Sequence, residues 1–178
     1  MENTDPSVEE LIHKGWSDYT KALELIETGD FYDAAEKSWS AIENFRKACL
    51  VAMKIPYNIA KSVKDGVPLF SRILESLGYN SLVRMYFYFD SRLHILGFYE
   101  RVTPEETIKK IIYDEVRSWL KDMENAIEIL KKIDLSGIVV LLKKLNKARQ
   151  EALKASMNHA EIKSQIAEII SKSLQTIT

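Results

Sequence analysis

Apolar residues recur at three- and four-residue intervals along most of this 178-residue chain, the spacing of helices that each keep one face dry. Val8, Leu11, Ile12, Trp16, Tyr19, Leu23 and Ile26 predict a first helix, and Ser7-Val-Glu-Glu10 reads as the capping box that starts it. Thr28-Gly29-Asp30 supplies a stop and a new N-cap. In the second helix Phe31, Ser38, Phe45 and Ala52 stand seven apart, as do Ala35, Ile42 and Cys49, with Ala34, Ala41 and Ala48 beside them. Such a heptad, running to about Met53, is the seam of a near-antiparallel bundle, and Ile55-Pro56 ends it. Residues 56–66 read as a long connection closed by Asp65-Gly66, and a short helix follows from about Pro68 to Leu77.

Asn80 or Ser81 can cap a third long helix that is apolar on several faces: Met85-Tyr-Phe-Tyr-Phe89, then Leu93, Ile95, Leu96 and Phe98. A helix of that kind is central in its bundle or covered by another subunit. Thr103-Pro104-Glu105-Glu106 places Thr at an N-cap, Pro at N1 and Glu at N3 of a fourth. Its inner stripe is Ile108, Ile112, Val116, Trp119, Met123, Ile127 and Leu130. Beyond it, two further helical segments are expected, Ile138 to about Ser156 and a second from Asn158.

Composition divides the chain near residue 134. All seventeen aromatic residues lie between Trp16 and Trp119. Residues 1–133 carry 18 basic and 22 acidic side chains, net −4, and residues 134–178 carry 7 and 4, net +3. A main bundle at 1–133 with a helical extension at 134–178 is the expected organisation. The overall net charge of −1 gives no global pull toward nucleic acid or membrane. A single cysteine excludes an internal disulfide, no apolar run reaches membrane-span length, and the N-terminus has no signal-peptide pattern. These features point to a cytoplasmic protein. No glycine-rich phosphate loop and no 34-residue repeat is present.

Candidate chemistry is sparse. A carboxylate-bridged di-metal bundle needs two Glu-x-x-His pairs. Only Glu10-Leu-Ile-His13 qualifies, so neither a metal nor another cofactor is expected. Cys49 sits on the heptad seam, where a thiol is core. Asp90-Ser-Arg92-Leu-His94 is the one polar interruption of the aromatic helix, spaced so that Asp90 can hold the His94 imidazole. With Tyr86, Tyr88 and Tyr99 near enough to add hydroxyls and Glu100 close by in sequence, it reads as a polar pocket for a phosphate or a base, with His94 able to move a proton, or as a satisfied cluster that fixes helix register. Glu36, Glu43 and Lys47 read as a solvated charged face. Lys143, Lys144, Lys147 and Arg149 form a basic strip that suits RNA phosphates or an acidic partner, or simply a solubilising surface.

Two stretches resemble a known family. Gly29-Asp-Phe-Tyr-Asp-Ala-Ala-Glu-Lys-Ser-Trp39-Ser-Ala-Ile-Glu-Asn-Phe-Arg-Lys-Ala48 resembles the opening of the archaeal PaREP family, within the HEPN superfamily of small helical bundles. Arg92-Leu-His94, then Phe98-Tyr99-Glu100 and Thr103-Pro-Glu, resembles its second block. The resemblance covers roughly residues 5–133 and implies an antiparallel four- to five-helix bundle that commonly pairs into homodimers. Many HEPN relatives are ribonucleases or work beside a nucleotidyltransferase. The nuclease motif, Arg, four to six residues, then His, is not met from Arg92 or from Arg84. Ribonuclease activity is therefore not carried across. Gly-Asp-x-Tyr also resembles half of a tetratricopeptide repeat, without the repetition that family needs.

The expectation is an all-α, antiparallel up-and-down bundle, HEPN-like and homodimeric. It would bind a protein partner, such as a nucleotidyltransferase, or RNA, without catalysis. The alternative is a nucleotide- or RNA-processing enzyme centred on His94. A tetratricopeptide-like interaction module is the lesser alternative.

Overall fold

The computed structural model describes residues 5–137 together with 140, 144 and 147. Internal packing divides the chain into two units, Met1–Ile133 and Asp134–Thr178. The described residues contain helices and no strand, so the all-α expectation holds.

Helix α1, Val8–Glu27, starts as its sequence predicts: the Glu10 N–H donates to Ser7 Oγ at 3.1 Å and the Ser7 N–H donates to Glu10 Oε2 at 2.7 Å. Gly29, with φ +83°, turns the chain, and Asp30 caps α2, Phe31–Ala52, by accepting the Asp33 N–H at 3.3 Å. The two helices pack as a hairpin whose crossing is very close. A Cβ on Gly15 would lie 2.5 Å from the Phe45 ring, and Phe45 itself is fully buried.

The hub among the described elements is α2, a place for which the sequence offered the aromatic third helix as one of two alternatives. It packs against α1 and against nearly every later element, and its alanines at 34, 35, 41, 48 and 52 are buried. Small side chains on several faces let neighbours approach from several directions.

The connection expected over 56–66 is instead largely helical, as α3, Tyr57–Ala60, and the first turn of α4, Val63–Ser76. Ser62 accepts the Asp65 N–H at 3.1 Å and caps α4, so Gly66 and Pro68 lie inside that helix and do not start it. Gly66 is required there by crowding: a Cβ would sit 2.6 Å from the Ala60 carbonyl and 2.9 Å from Arg46 Nη1. Gly78, with φ +89°, closes the segment. Helix α5, Asn80–Phe89, follows with Tyr79 at its N-cap and no side-chain cap, so Asn80 is the first helical residue and caps nothing.

Past Phe89 the third long helix widens into a π-helix, π1, Asp90–Tyr99. The Glu100 N–H reaches back five residues to the Ile95 carbonyl at 2.9 Å. Gly97 lets π1 lie against α2, since a Cβ would be 3.3 Å from Ala35 Cβ. The chain then hooks through Arg101, φ +53°, and the Val102 and Thr103 N–H groups both donate to the Leu96 carbonyl. Thr103 does not cap the next helix as its sequence suggested. Its hydroxyl donates to the Arg92 carbonyl at 3.1 Å and so ties off π1, while Pro104 stands at the N-cap of α6, Glu105–Lys110.

The fourth long helix is α6, a second π segment, π2, Ile111–Val116, and α7, Arg117–Leu130. Ile108, Ile112, Val116, Trp119, Met123, Ile127 and Leu130 are all buried, as their spacing predicted. Long-range hydrogen bonds fix this layer: Tyr19 Oη donates to the Ile112 carbonyl at 3.1 Å, and Trp119 Nε1 to the Leu82 carbonyl at 2.9 Å. Among the described residues no helix is long and apolar enough to cross a membrane.

A candidate binding cup between the second helix and the first π segment

One face of α2 carries Glu36, Trp39 and Glu43, at i, i+3 and i+7. Opposite them, α5 and π1 bring Tyr86, Phe87, Asp90 and His94, and α4 adds Val63 and Val67. Together, Glu36 apart, these residues line a cup of about 150 Å³. A π-helix in the wall of a cavity is a recurring companion of function, because the extra residue re-aims the side chains around it.

His94 is held on three sides. Its Nδ1 lies 3.0 Å from Glu36 Oε2, its ring stacks on Trp39 with centroids 5.1 Å apart and planes at 22°, and the Tyr99 ring meets it edge-on at 4.9 Å. A carboxylate can only accept, so Nδ1 carries the hydrogen and Nε2 is the nitrogen left for a ligand. The Asp90–His94 bond expected from their spacing does not form. Glu36 of α2 takes the imidazole instead, and His94 acts on Asp90 only through its charge.

The solvated charge strip expected on α2 is also overturned. Arg46 is fully buried, with Nε and Nη2 donating to Glu43 Oε1 and Oε2 at 2.7 and 2.9 Å and Nη1 donating to the Ala60 carbonyl at 2.8 Å. Tyr86 Oη donates to Glu43 Oε1 at 2.8 Å, and Lys47 Nζ stands 3.9 Å from Glu43 Oε2. Burial pushes the Glu43 carboxyl up. The Arg46 hydrogen bonds and charge, with help from Tyr86 and Lys47, outweigh it and hold the carboxyl below the usual carboxylate range. Burial, then the Glu43 charge, pushes the Tyr86 hydroxyl far above its ordinary value, so it stays a donor.

Asp90 differs. Burial pushes its carboxyl up, the nearby His94 pulls it down, and Glu43 pushes it up again; the net direction is upward. Among the described residues no side chain hydrogen-bonds it.

Of the five residues singled out around the polar interruption, Asp90 and His94 line the cup and Tyr99 borders it through His94. Arg92 and Glu100 are exposed and outside the lining. Trp39 and Glu43 were not foreseen as site residues, although the common face of Glu36, Trp39 and Glu43 was readable from their spacing; Tyr86 lines the cup as expected, and Tyr88 lies outside its lining. Of the basic strip, Lys144 and Lys147 are helical and exposed, while Lys143 and Arg149 lie outside the described residues, as do most of the two helical segments expected in the tail. Cys49 is fully buried and burial pushes its thiol up to about 12, so it is no nucleophile at neutral pH. Glu10 closes the α1 capping box, and among the described residues no group of three or more His, Cys, Asp or Glu side chains is placed to hold a metal ion.

A second, more open hollow of about 360 Å³ lies between α5 and the π2–α7 segment, with Asp114, Glu115 and Asp122 over Leu82, Met85 and Trp119. It lacks a histidine and the stacked ring system of the first.

Among curated proteins and among solved structures, nothing matches the chain. Residues 12–118 match the archaeal PaREP1/PaREP8 family, a span that takes in both stretches quoted above and every side chain of the cup. With more than half of its length inside that match, the chain belongs to the archaeal PaREP1/PaREP8 family.

Proposed function

We propose that this chain is a non-catalytic, HEPN-like binding module that works as a homodimer and holds a protein partner on the face around the cup. One observation carries the reading. The chain buries Tyr86 and Phe89 of its aromatic helix in its own core, yet leaves Phe87 45% and Tyr99 67% exposed at the cup. Val63 on the cup wall, and Ile95 and Val102 on and just after π1, are exposed as well. Bare aromatic side chains around a recessed polar floor are the anatomy of a protein interface. Asp90, with no cation bonded to it among the described residues, would repel nucleic-acid phosphates, which supports a protein over RNA at this face. A nucleotidyltransferase, the partner the family resemblance suggests, is one candidate. Pairing of two chains is a separate part of the proposal, and light scattering at tens of micromolar reads it.

The Glu36–His94 bond favours a second reading, since an oriented imidazole in a cleft is also what a general acid–base needs. Incubation with labelled RNA and with nucleotides separates the two. The binding reading expects no turnover by the native protein. Turnover that His94→Ala abolishes would replace it with the enzyme reading.

A further inference from the structure

We infer that the cup takes a cationic group, the ammonium or guanidinium of a lysine or arginine side chain on the partner, with Asp90 as its counter-charge and Trp39, Tyr86 and Phe87 as its walls. This rests on the reading of the surrounding face as a protein-binding surface.

The charges around the cup are already assigned, except one. Arg46 has all of its described bonds on Glu43 and the Ala60 carbonyl. Lys47 stands against the same Glu43, and His94 is held through Nδ1 by Glu36. Asp90 lines the cup with no cation bonded to it among the described residues; burial first, then Glu43, pushes its carboxyl up against the pull of His94. A partly buried carboxylate without a partner is stabilised by a cation brought to it.

The walls suit the same guest. Trp39 and Tyr86 meet at 5.3 Å and 43°, and Tyr86 and Phe87 at 5.2 Å and 79°, so the three lining rings stand at different angles to one another. Aromatic faces attract ammonium and guanidinium groups, most strongly where water is thinned. Size narrows the choice further. At about 150 Å³ the cup is below the roughly 300–1,000 Å³ of sites that enclose drug-sized ligands, and it fits the end of one long side chain.

The test uses the full chain with ¹⁵N-labelled tryptophan. Three indole N–H signals are expected: Trp16, whose Nε1 donates to Glu124 outside both hollows, is the control, and Trp119, whose Nε1 donates to the Leu82 carbonyl, reports separately on the second, acidic hollow. N-acetyl-arginine amide and N-acetyl-lysine amide are titrated against N-acetyl-citrulline amide, which keeps the shape of arginine without its charge. The cationic probes are expected to move the Trp39 signal and leave that of Trp16 in place, with citrulline at least about tenfold weaker at Trp39. Asp90→Asn is expected to abolish that preference while the Trp16 and Trp119 signals stay in place, which shows the fold intact. Equal binding of citrulline, an unmoved Trp39 signal, or an undiminished preference in Asp90→Asn would overturn the inference. Spermidine binding more than tenfold tighter than the lysine probe would move the source from a partner to a free polyamine and overturn the assignment to a partner. Because these probes are small molecules, a failure here concerns the chemistry of the cup, whereas loss of the protein-binding reading would appear in partner capture with the cup chemistry unchanged.

Discussion

His94 Nδ1 and Glu36 Oε2 lie 3.0 Å apart across 58 residues of sequence, and this bond joins π1 to the central helix α2. Both side chains are partly exposed, so solvent screens the pair. A double-mutant cycle of Glu36→Gln and His94→Gln, read by urea unfolding, is expected to give a coupling of no more than about 1 kcal/mol. A larger value would mean that the pair holds the bundle together and does not merely orient a ring.

The Arg46–Glu43 pair is expected to behave otherwise. Arg46 is fully buried, and removing one partner strands the other. Arg46→Ala should cost about 3–5 kcal/mol in urea unfolding. It should also loosen α3 and the start of α4, which the Arg46 bond to the Ala60 carbonyl ties to α2. A loss below about 1 kcal/mol would contradict the placement of that side chain.

Gly15→Ala pits two known effects against each other. Alanine is favoured over glycine inside a helix by about 1 kcal/mol. The added methyl would meet the Phe45 ring, which is locked in the core. Overpacking of this kind costs about 1–3 kcal/mol, so the variant should be destabilised in thermal unfolding. A stabilised variant would show that α1 and α2 stand further apart.

Asp90 and Glu43 predict opposite pH dependences. The folded pKa of Asp90 is raised, by burial first and by Glu43, against the pull of His94. The stability it contributes is therefore fully present below its unfolded pKa and is lost as pH rises through the folded pKa. Asp90→Asn should raise Tm at neutral pH, and the gap should close as the solution is acidified. The folded pKa of Glu43 is lowered, so its stabilisation is present above the unfolded pKa and lost as pH falls through the folded value. In Glu43→Gln the loss of Tm at neutral pH should likewise shrink in acid. Thermal scans from pH 3 to 7 on both variants check the two signs.

Sequence alone was a good guide where structure is local. Ser7 with Glu10, Asp30 with Asp33, and the buried stripe from Ile108 to Leu130 all follow from spacings of three, four and seven. The site was less legible because its parts meet only in three dimensions. Arg46 looks like a surface residue until α3 supplies a carbonyl to its third nitrogen. The π winding of 90–99 comes with a close approach of Gly97 to Ala35 and the hook through Thr103, and a periodicity reports none of the three. His94 meets Glu36 and Trp39, which stand 58 and 55 residues away in sequence.

The central claim is that the exposed aromatic face around the cup holds a protein partner. Its most direct test replaces Phe87 with a photo-crosslinking phenylalanine analogue and places the same analogue at Tyr113, an exposed aromatic residue on π2, as the control. Both forms are irradiated in native cell extract. The account predicts a single discrete protein adduct from position 87 and none from 113, suppressed by excess unlabelled chain and by Asp90→Asn in the labelled protein. No adduct from position 87 above that from 113, an adduct of nucleic acid, or an adduct only with a second copy of this chain would contradict it.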